Sequence, residues 1–395
     1  VLNNGAVFNY TSAPVPIPNS LTWEKATTYD AGLDFEAFNG RLNFSGDIYR
    51  KATTDMYVTG DELPAVYGNS APKGNYADMR TDGWEFSISW RDSYKVGGKI
   101  LSYNIKASVW DYVSKITRYT SKTNTLPTNY AVHYYEGMTL GELWGYKCTG
   151  LFQSDEEAQT HANYAKFNGD NVVWSAGDPK FEDLNGDGYV NNGNNTLGNH
   201  GDLIKIGNTN PRYQYSIQGG ISWNGIGLSM MWQGVGKRDW YPAKESGYFW
   251  GQYGRPYSMA LPWHTSDRWS ETNRDAYWPR LVAYQASGAQ RILSQPNTRY
   301  LQSARYIRMK NLTLDYSFPK KIVEAIRLQN LKVFFSGENL LTFTPLRHHA
   351  KNYDPEGLYP GDQDWGANKS GSDNYGDGDG YPTMRSFTFG LNITF

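Results

Sequence analysis

Nine segments of this chain alternate apolar and polar side chains with a period of two residues, so each is predicted to be a β-strand with one apolar and one polar face. The C-terminal segment, SFTFGLNITF, shows the pattern most clearly. Its apolar series runs from Phe387 to Phe395, and its polar series runs from Ser386 to Thr394. A chain that repeats this pattern so often is expected to be all-β.

The eight preceding segments keep the same alternation. They are TTYDAGLDFEAF, RLNFSGDIYRK, GWEFSISWR, ILSYNIKASVWDYV, RYQYSIQGGISW, IGLSMMWQG, YIRMKNLTLDYSF and LKVFFSGENLLTF. In YIRMKNLTLDYSF the apolar positions change phase between Met309 and Leu312, which predicts a β-bulge near Lys310.

The connections between the segments are alternately short and long. The short ones are Asn39-Gly40, DSYKVGGK, Asn224-Gly225 and PKKIVEAIRL, and the long ones cover residues 52–78, 117–211, 236–304 and 345–384. In an antiparallel sheet this order places all short turns at one end and all long loops at the other. Bacterial outer-membrane barrels have this asymmetry. A soluble β-sandwich is the alternative, but it does not explain loops of this length.

A membrane barrel assigns each side chain to lipid or to the lumen. The apolar positions predicted to face lipid include Leu33, Phe86, Ile217, Leu314 and Phe389. The polar positions predicted to face the lumen include Asp34, Glu85, Gln218 and Thr388. Tyr and Trp near the strand ends fit an aromatic belt at the membrane surfaces.

The composition excludes several classes of partner and of structural site. The 38 basic and 39 acidic residues nearly cancel, so nucleic acid is not an expected partner. The single cysteine, Cys148, excludes a disulfide scaffold and a cysteine-rich zinc site. The N-terminal stretch VLNNGAVFNYTSAP shows no signal peptide, and we expect the chain to be the C-terminal portion of a longer polypeptide.

Several longer motifs resemble one family. The segments LTWEKATTYDAGLDFEAFNGRLNFSGDIYRKATTDMY, GDPKFEDLNGDGYVN, IGNTNPRYQYSIQGG, ARYIRMKNLTLDYSFPKKI, LKVFFSGENLLTFT and YPTMRSFTFGLNITF together resemble the C-terminal barrel of SusC/RagA-type TonB-dependent outer-membrane transporters. The resemblance implies that residues 1–395 are part of a 22-stranded transmembrane antiparallel barrel with long extracellular loops. The signal peptide, the plug and the earlier strands would precede this chain.

The resemblance also implies a function and a location. It implies energised import of oligosaccharides or peptides across the outer membrane of a Gram-negative bacterium. The TonB complex would supply the energy, a SusD-like lipoprotein would cap the outer face, and outer-membrane lipid would surround the barrel. No catalysis is implied. A passive porin and a barrel-anchored adhesin or assembly protein remain alternatives. The terminal aromatic Phe395 resembles the family's signal for barrel assembly.

One loop has the spacing of a calcium site. In DLNGDGYVN the candidate oxygen ligands are Asp183, Asn185, Asp187, the Tyr189 carbonyl and Asn191. Gly188 stands at the sixth position, where a calcium loop turns sharply, but the twelfth position is Asn194 rather than Glu. Asp178 or Asp202 could substitute for that ligand. The alternative is an Asp-Gly turn with solvated carboxylates.

Aromatic residues are dense in the third long loop, residues 236–304. The candidates for contact with a substrate or a partner are Trp240, Tyr241, Tyr248, Trp250, Tyr253 and Trp263. Such rings can stack on sugars or pack against a protein surface. The alternative is that they pack against one another inside the loop.

Overall fold

Nine long strands form one antiparallel sheet in which each strand pairs with its neighbours along the chain. The computed structural model describes residues 2–3, 6–7, 18–19, 21–60, 72–120, 124–127, 133–161, 174–243, 246–254, 260–282, 293, 295–358 and 383–395. The strands are β1 (Lys25–Ala37), β2 (Leu42–Thr59), β3 (Lys73–Val96), β4 (Lys99–Tyr119), β5 (Arg212–Trp223), β6 (Ile226–Lys237), β7 (Tyr306–Ser317), β8 (Asn330–Phe343) and β9 (Ser386–Thr394). Within the described residues β1 and β9 are the two edges, so the sheet is not closed in this chain.

Three of the four short connections lie where the sequence predicted them. The fourth, DSYKVGGK, is reduced to a two-residue turn at Gly97-Gly98, because β3 continues to Val96, which pairs with Lys99. Asn224-Gly225 joins β5 to β6 as a two-residue turn with both residues at positive φ, the geometry that matches the twist of paired strands. A four-residue turn contains Asn39-Gly40, and the helix Lys320–Ala325 joins β7 to β8. All four short connections therefore lie at one end of the sheet, which we name the short-turn end. The other end is the long-loop end.

Three strands are longer than predicted. Residues 52–78 were expected to form a loop, but Val58 pairs with Gly74 and Thr59 pairs with Lys73, so the connection covers only residues 60–72. The strand β4 likewise continues to Tyr119. The prediction was wrong because it relied on alternation. At this end neither face carries a continuous apolar series, although the backbone pairing continues.

The bulge near Lys310 is confirmed. Met309 pairs with Leu341, whereas Asn311 pairs with Glu338, so the register shifts at Lys310. The pairing with β6 shifts at the same place. The extra residue brings Ile307 and Met309 onto the face that carries Leu312 and Leu314.

The sheet separates apolar from polar side chains across its whole width. One row of paired residues crosses eight strands and is entirely polar: Asp34, Ser45, Ser87, Ser108, Ser216, Gln233, Arg308 and Thr342. The next row lies on the opposite face and reads Phe35, Phe44, Ile88, Ala107, Ile217, Trp232, Met309 and Leu341. Because adjacent residues of a strand point to opposite faces, one face is apolar and the other is polar.

The long loops fold into a hydrophobic core of their own, which we name the loop core; its buried residues include Trp240, Phe249, Trp250, Trp278 and Tyr300. Short pairs of strands support it: Glu142–Tyr146 with Leu203–Asn208, Cys148–Leu151 with Pro179–Phe181, and Asp239–Trp240 with Gln302–Ser303. The helical segments are Asp155–Thr160, Gly247–Trp250, Gly251–Tyr253, Pro262–Ser266 and Pro345–Arg347. The two-residue strands Leu2–Asn3 and Ala6–Val7 pair separately. Among the described residues, no helix combines the length and the hydrophobicity needed to span a membrane.

Candidate functional site

The polar face of the sheet carries a hollow near the short-turn end. Its volume is about 820 Å³, and Arg91, Asn104, Ser229, Asp315 and Lys332 are among the residues that line it. Lys332 pairs with Asp315 at 2.8 Å. A wide polar hollow against the sheet is the surface expected of a barrel interior, where water or a plug meets the wall.

A segment of the fourth long loop lies against the polar face at the other end. Residues 345–358, which we name the strap, meet the side chain of Arg308 on β7. Arg308 donates to Asp354 at 2.6 Å, to Glu356 at 2.8 Å and to Thr342 at 2.9 Å. Lys310 adds a second contact to Glu356 at 2.9 Å. The strap is therefore held to the wall by a charged network.

The network is buried and fully paired. The side chain of Arg308 is only 4% exposed, and that of Asp354 is 11% exposed. Burial opposes ionisation of Asp354, but hydrogen bonds from Arg308 and from the backbone N–H groups of Glu356 and Thr383 outweigh it. The pKa of Asp354 therefore lies below its ordinary value. The side chain of Asp354 therefore stays ionised, and its negative charge balances the positive charge of the buried Arg308 guanidinium.

The strap also joins the loop core. Tyr353 packs on Trp240 with ring centroids 4.8 Å apart, and its hydroxyl forms a hydrogen bond with Ser246. The guanidinium of Arg238 donates to the carbonyl oxygens of Pro355 and Leu358 at 3.1 Å and 2.6 Å. One segment thus ties the third long loop to the polar face of the sheet. Residues 353–356 read YDPE, but nothing in the sequence pattern identifies Arg308 as the partner of this segment.

Four of the six predicted aromatic contacts are inside the loop core. Trp240, Trp250 and Tyr253 are each 1% exposed, and Tyr241 is 4% exposed. The indole N–H of Trp250 donates to the Ala243 carbonyl at 2.9 Å, and its ring packs on that of Phe249. These four rings stabilise the loops, and none of them is available to a ligand. The prediction of direct contact is wrong for them, because a set of large rings in one loop buries itself.

The other two candidates lie nearer the surface. Tyr248 is 43% exposed on the helix Gly247–Trp250. Trp263 is half-buried, with the ammonium of Lys351 5.9 Å from its ring centroid. A contact role stays a prediction for Tyr248 and Trp263.

The Asp-Asn-Asp loop is shaped by its own hydrogen bonds. The carboxylate of Asp183 accepts from the N–H groups of Gly186 and Gly188 at 2.7 Å and 2.9 Å. The side chain of Asn185 accepts from the Asp187 N–H, and Asp187 accepts from the Tyr189 N–H. Gly188 has a φ of +82°, which confirms the sharp turn predicted there.

Asp202 and Asp178, the two proposed substitute ligands, already have hydrogen-bond or ion-pair partners. Asp202 is fully buried and accepts from the backbone of Leu184 and Asn191 at 2.8 Å. Asp178 is also buried and pairs with Arg280 at 2.6 Å. Within the described residues no group of three His, Cys, Asp or Glu side chains is placed to hold a metal. The loop thus offers two carboxylates, the Asn185 and Asn191 amides and one carbonyl, a weaker donor set than a complete calcium loop.

Phe395 lies just beyond β9 and is 83% exposed. Ile393, two residues earlier, pairs with Leu331, and Phe389 pairs with Phe335. Continuing this alternation places Phe395 on the apolar face at the short-turn end. Its role in assembly stays a prediction.

Several proteins similar to this chain in sequence are named TonB-dependent receptors. TonB-dependent receptor P3 of Formosa agariphila is 27% identical over 394 residues, which is 95% of this chain and 35% of the relative. TonB-dependent receptor P26 of the same organism is 24% identical over 387 residues, or 96% of this chain and 35% of the relative. TonB-dependent receptor SusC of Bacteroides thetaiotaomicron is 33% identical over 117 residues, 29% of this chain and 11% of that receptor. No protein-family model matches.

The chain is a homologue of the SusC-like TonB-dependent receptors. Its fold agrees: the RagAB peptide transporter superposes with a TM-score of 0.67 at 18% identity, covering 99% of this chain and 38% of that one. The chain spans about a third of the length of the curated receptors it matches. These SusC-like relatives are receptors and transporters rather than enzymes.

Proposed function

We propose that this chain forms the C-terminal wall and the outer loops of a barrel that imports oligosaccharides or peptides across the outer membrane. The observation that carries the proposal is the separation of faces across all nine strands. Leu33, Phe86, Ile217, Leu314 and Phe389 are each at least 39% exposed on the apolar face. Exposed apolar area of this extent is costly in water and stable in lipid.

The polar face then lines the lumen. Asp34, Glu85, Gln218 and Thr388 lie on the face opposite the apolar series. β1 and β9 are free edges within the described residues, and unpaired edges are not stable in lipid. Closure with the strands of a longer polypeptide, to a barrel of 22 strands, supplies their partners.

The end of the sheet that carries the long loops determines the orientation of the barrel in the outer membrane. The outer loops of outer-membrane barrels are long and their periplasmic turns are short. The long-loop end is therefore outside the cell, where a SusD-like lipoprotein would cover it. The short-turn end faces the periplasm and the TonB complex, which would act through the plug.

Uptake by the full-length protein tests the proposal. Cells that lack the gene should lose growth on an oligosaccharide or peptide mixture that the parent strain imports. Deleting TonB should abolish that growth as well. Uptake that persists without TonB would favour a passive porin. Unchanged uptake in the gene deletion, with lost adhesion to surfaces, would favour the adhesin.

Calcium in the loop of Asp183 is a second proposal, supported by the ligand spacing and the turn at Gly188. A bound ion would be held by Asp183, Asn185, Asp187, the Tyr189 carbonyl and Asn191. It would neutralise two carboxylates on an external loop and stiffen it, without any part in chemistry. Calorimetric titration of the full-length protein with Ca²⁺ tests it, with Asp183→Asn as the variant expected to lose binding.

A further inference from the structure

The apolar face of β2, β3 and β4 ends at a cluster of cations. Ile48, Trp84 and Asp111 are paired neighbours across these strands. Above them, toward the long-loop end, Arg50 pairs with Asp82, and in the next row on the same face Arg80 pairs with Lys115. We name Arg50, Arg80 and Lys115 the basic patch.

The patch lies on the lipid side of the sheet rather than in the lumen. Arg50 follows Ile48 by two residues, and Lys115 follows Val113 by two, so each shares the face of an apolar neighbour. Thr81 and Ser114, which alternate with the patch, form a hydrogen bond with each other at 2.8 Å on the opposite face. The basic side chains therefore point away from the barrel interior.

The position matches the upper edge of the membrane. On β4 the apolar face runs from Leu101 to Val109, nine residues, before Asp111 and Lys115 appear. A tilted strand needs about 9–11 residues to cross the hydrocarbon core. The patch is therefore at the level of the lipid head groups, on the side of the long loops.

The side chains are available to a ligand and carry an excess of positive charge. The side chain of Arg50 is 56% exposed and that of Arg80 is 43% exposed, and Lys115 is exposed as well. Within these two rows Asp82 is the single acid, and it contacts Arg50 at 2.5 Å and Arg80 at 2.9 Å. One carboxylate thus holds two guanidinium groups on one surface and leaves a net charge of +2.

Other charges nearby are already paired. Asp111 is bound by both guanidinium nitrogens of Arg212, at 2.6 Å and 2.5 Å. Above the patch, Arg118 binds Asp78 at 2.7 Å. These two pairs are balanced and add no net charge beside Arg50, Arg80 and Lys115.

We infer that the basic patch binds the phosphate groups of lipid in the outer leaflet around the barrel. Guanidinium groups match phosphate oxygens in geometry and charge, and the apolar face directly below accepts the acyl chains of the same lipid. This inference rests on the proposed function, because it requires the apolar face to be in an outer membrane. Each cation near a charged lipid surface strengthens binding several-fold.

The experiment uses the full-length protein in a zwitterionic detergent, with diphosphorylated lipid A as the probe. Heat resistance of the folded barrel is measured without the probe and at increasing probe concentrations. The probe concentration that gives half of the maximal gain in heat resistance is then compared between the parent protein and the variant. We expect Arg50→Gln, Arg80→Gln and Lys115→Gln together to raise that concentration roughly ten- to hundred-fold. Dephosphorylated lipid A and inorganic phosphate should give little gain in either protein.

The same three strands provide a matched control. Lys51, Lys95 and Lys106 are exposed on the opposite face of β2, β3 and β4. Replacing all three with Gln removes the same charge and should leave the response to lipid A unchanged. Equal losses in the two triple variants, or no loss in the patch variant, would overturn the inference. A full-length protein that never forms a heat-resistant barrel would overturn the proposed function instead.

Discussion

The network around Arg308 should determine whether the strap stays on the barrel wall. Replacing Arg308 with Met keeps most of the apolar stem and removes the guanidinium. Asp354 then loses its charged partner, whereas Glu356 keeps Lys310 at 2.9 Å. Removing one partner of a buried ion pair costs about 3–5 kcal/mol. Because Lys310 still neutralises Glu356, we expect the lower end, about 3 kcal/mol, for release of the strap.

Hydrogen exchange of the strap amides measures this release. Ala350 donates to the Leu346 carbonyl at 2.7 Å and Gly357 donates to the Asp354 carbonyl at 3.0 Å, so both amides report on the folded strap. A loss of about 3 kcal/mol lowers their protection roughly a hundred-fold. Amides in the middle of β7 should stay protected, because the strands pair independently of the strap.

A less buried ion pair, between Asp315 on β7 and Lys332 on the neighbouring strand β8, serves as the control. The side chain of Lys332 is 36% exposed and pairs with Asp315. Such a pair contributes about 0–1 kcal/mol, so Lys332→Met should leave the protection of the strap unchanged. The reasoning is refuted if Arg308→Met leaves the strap protected, or if Lys332→Met exposes it equally.

The pH dependence gives an independent check of the same network. Because the pKa of Asp354 is lowered in the folded protein, its stabilising contribution is complete above the ordinary pKa of an Asp, about 4. That contribution is lost as the pH falls through the lowered pKa. Strap protection should therefore fall below about pH 4 in the parent protein, and Asp354→Asn should remove this fall.

Three shorter predictions concern the other sites. Asp183→Asn combined with Asp187→Asn should abolish any rise in loop stability on addition of Ca²⁺, measured by calorimetry, and a rise that persists would place the ion elsewhere. Trp250→Ala should lower the stability of the loop core by about 3–5 kcal/mol, since this ring is fully buried, whereas Tyr248→Ala should change uptake without changing thermal stability. Phe395→Ala should lower outer-membrane abundance more than the heat resistance of folded barrels; normal abundance with a weakened barrel would show that the residue acts through packing alone.

The sheet could be predicted from the sequence because the pattern that marks each strand and turn lies in consecutive residues. Alternation marked each strand, Asn224-Gly225 fixed a turn, and the phase change after Met309 located the bulge. The same reasoning failed where alternation stops. Thr53 and Thr59 continue β2 with polar residues, and a strand without an apolar series looks like a loop in sequence.

The loops could not be predicted in the same way, because their contacts join distant residues. The sequence predicted Trp250 to be a binding residue, whereas in the structure its ring packs against those of Tyr300 and Trp278. Arg308 and Asp354 are 46 residues apart, and no local pattern connects them. In sequence, an aromatic ring that binds a ligand and one that fills a core are identical. Burial distinguishes the two.

Quenching of single labels on β3 tests most directly whether the apolar face contacts lipid. In the full-length protein with its native cysteines, Cys148 included, replaced by Ser, a fluorophore is attached to a single new cysteine at Glu85, Phe86 or Ser87 in turn, in lipid vesicles. The label at Phe86 should be quenched by a spin-labelled lipid, and the labels at Glu85 and Ser87 by a water-soluble quencher. Lipid quenching at Glu85 and Ser87 with none at Phe86, or equal quenching at all three, would contradict the barrel assignment.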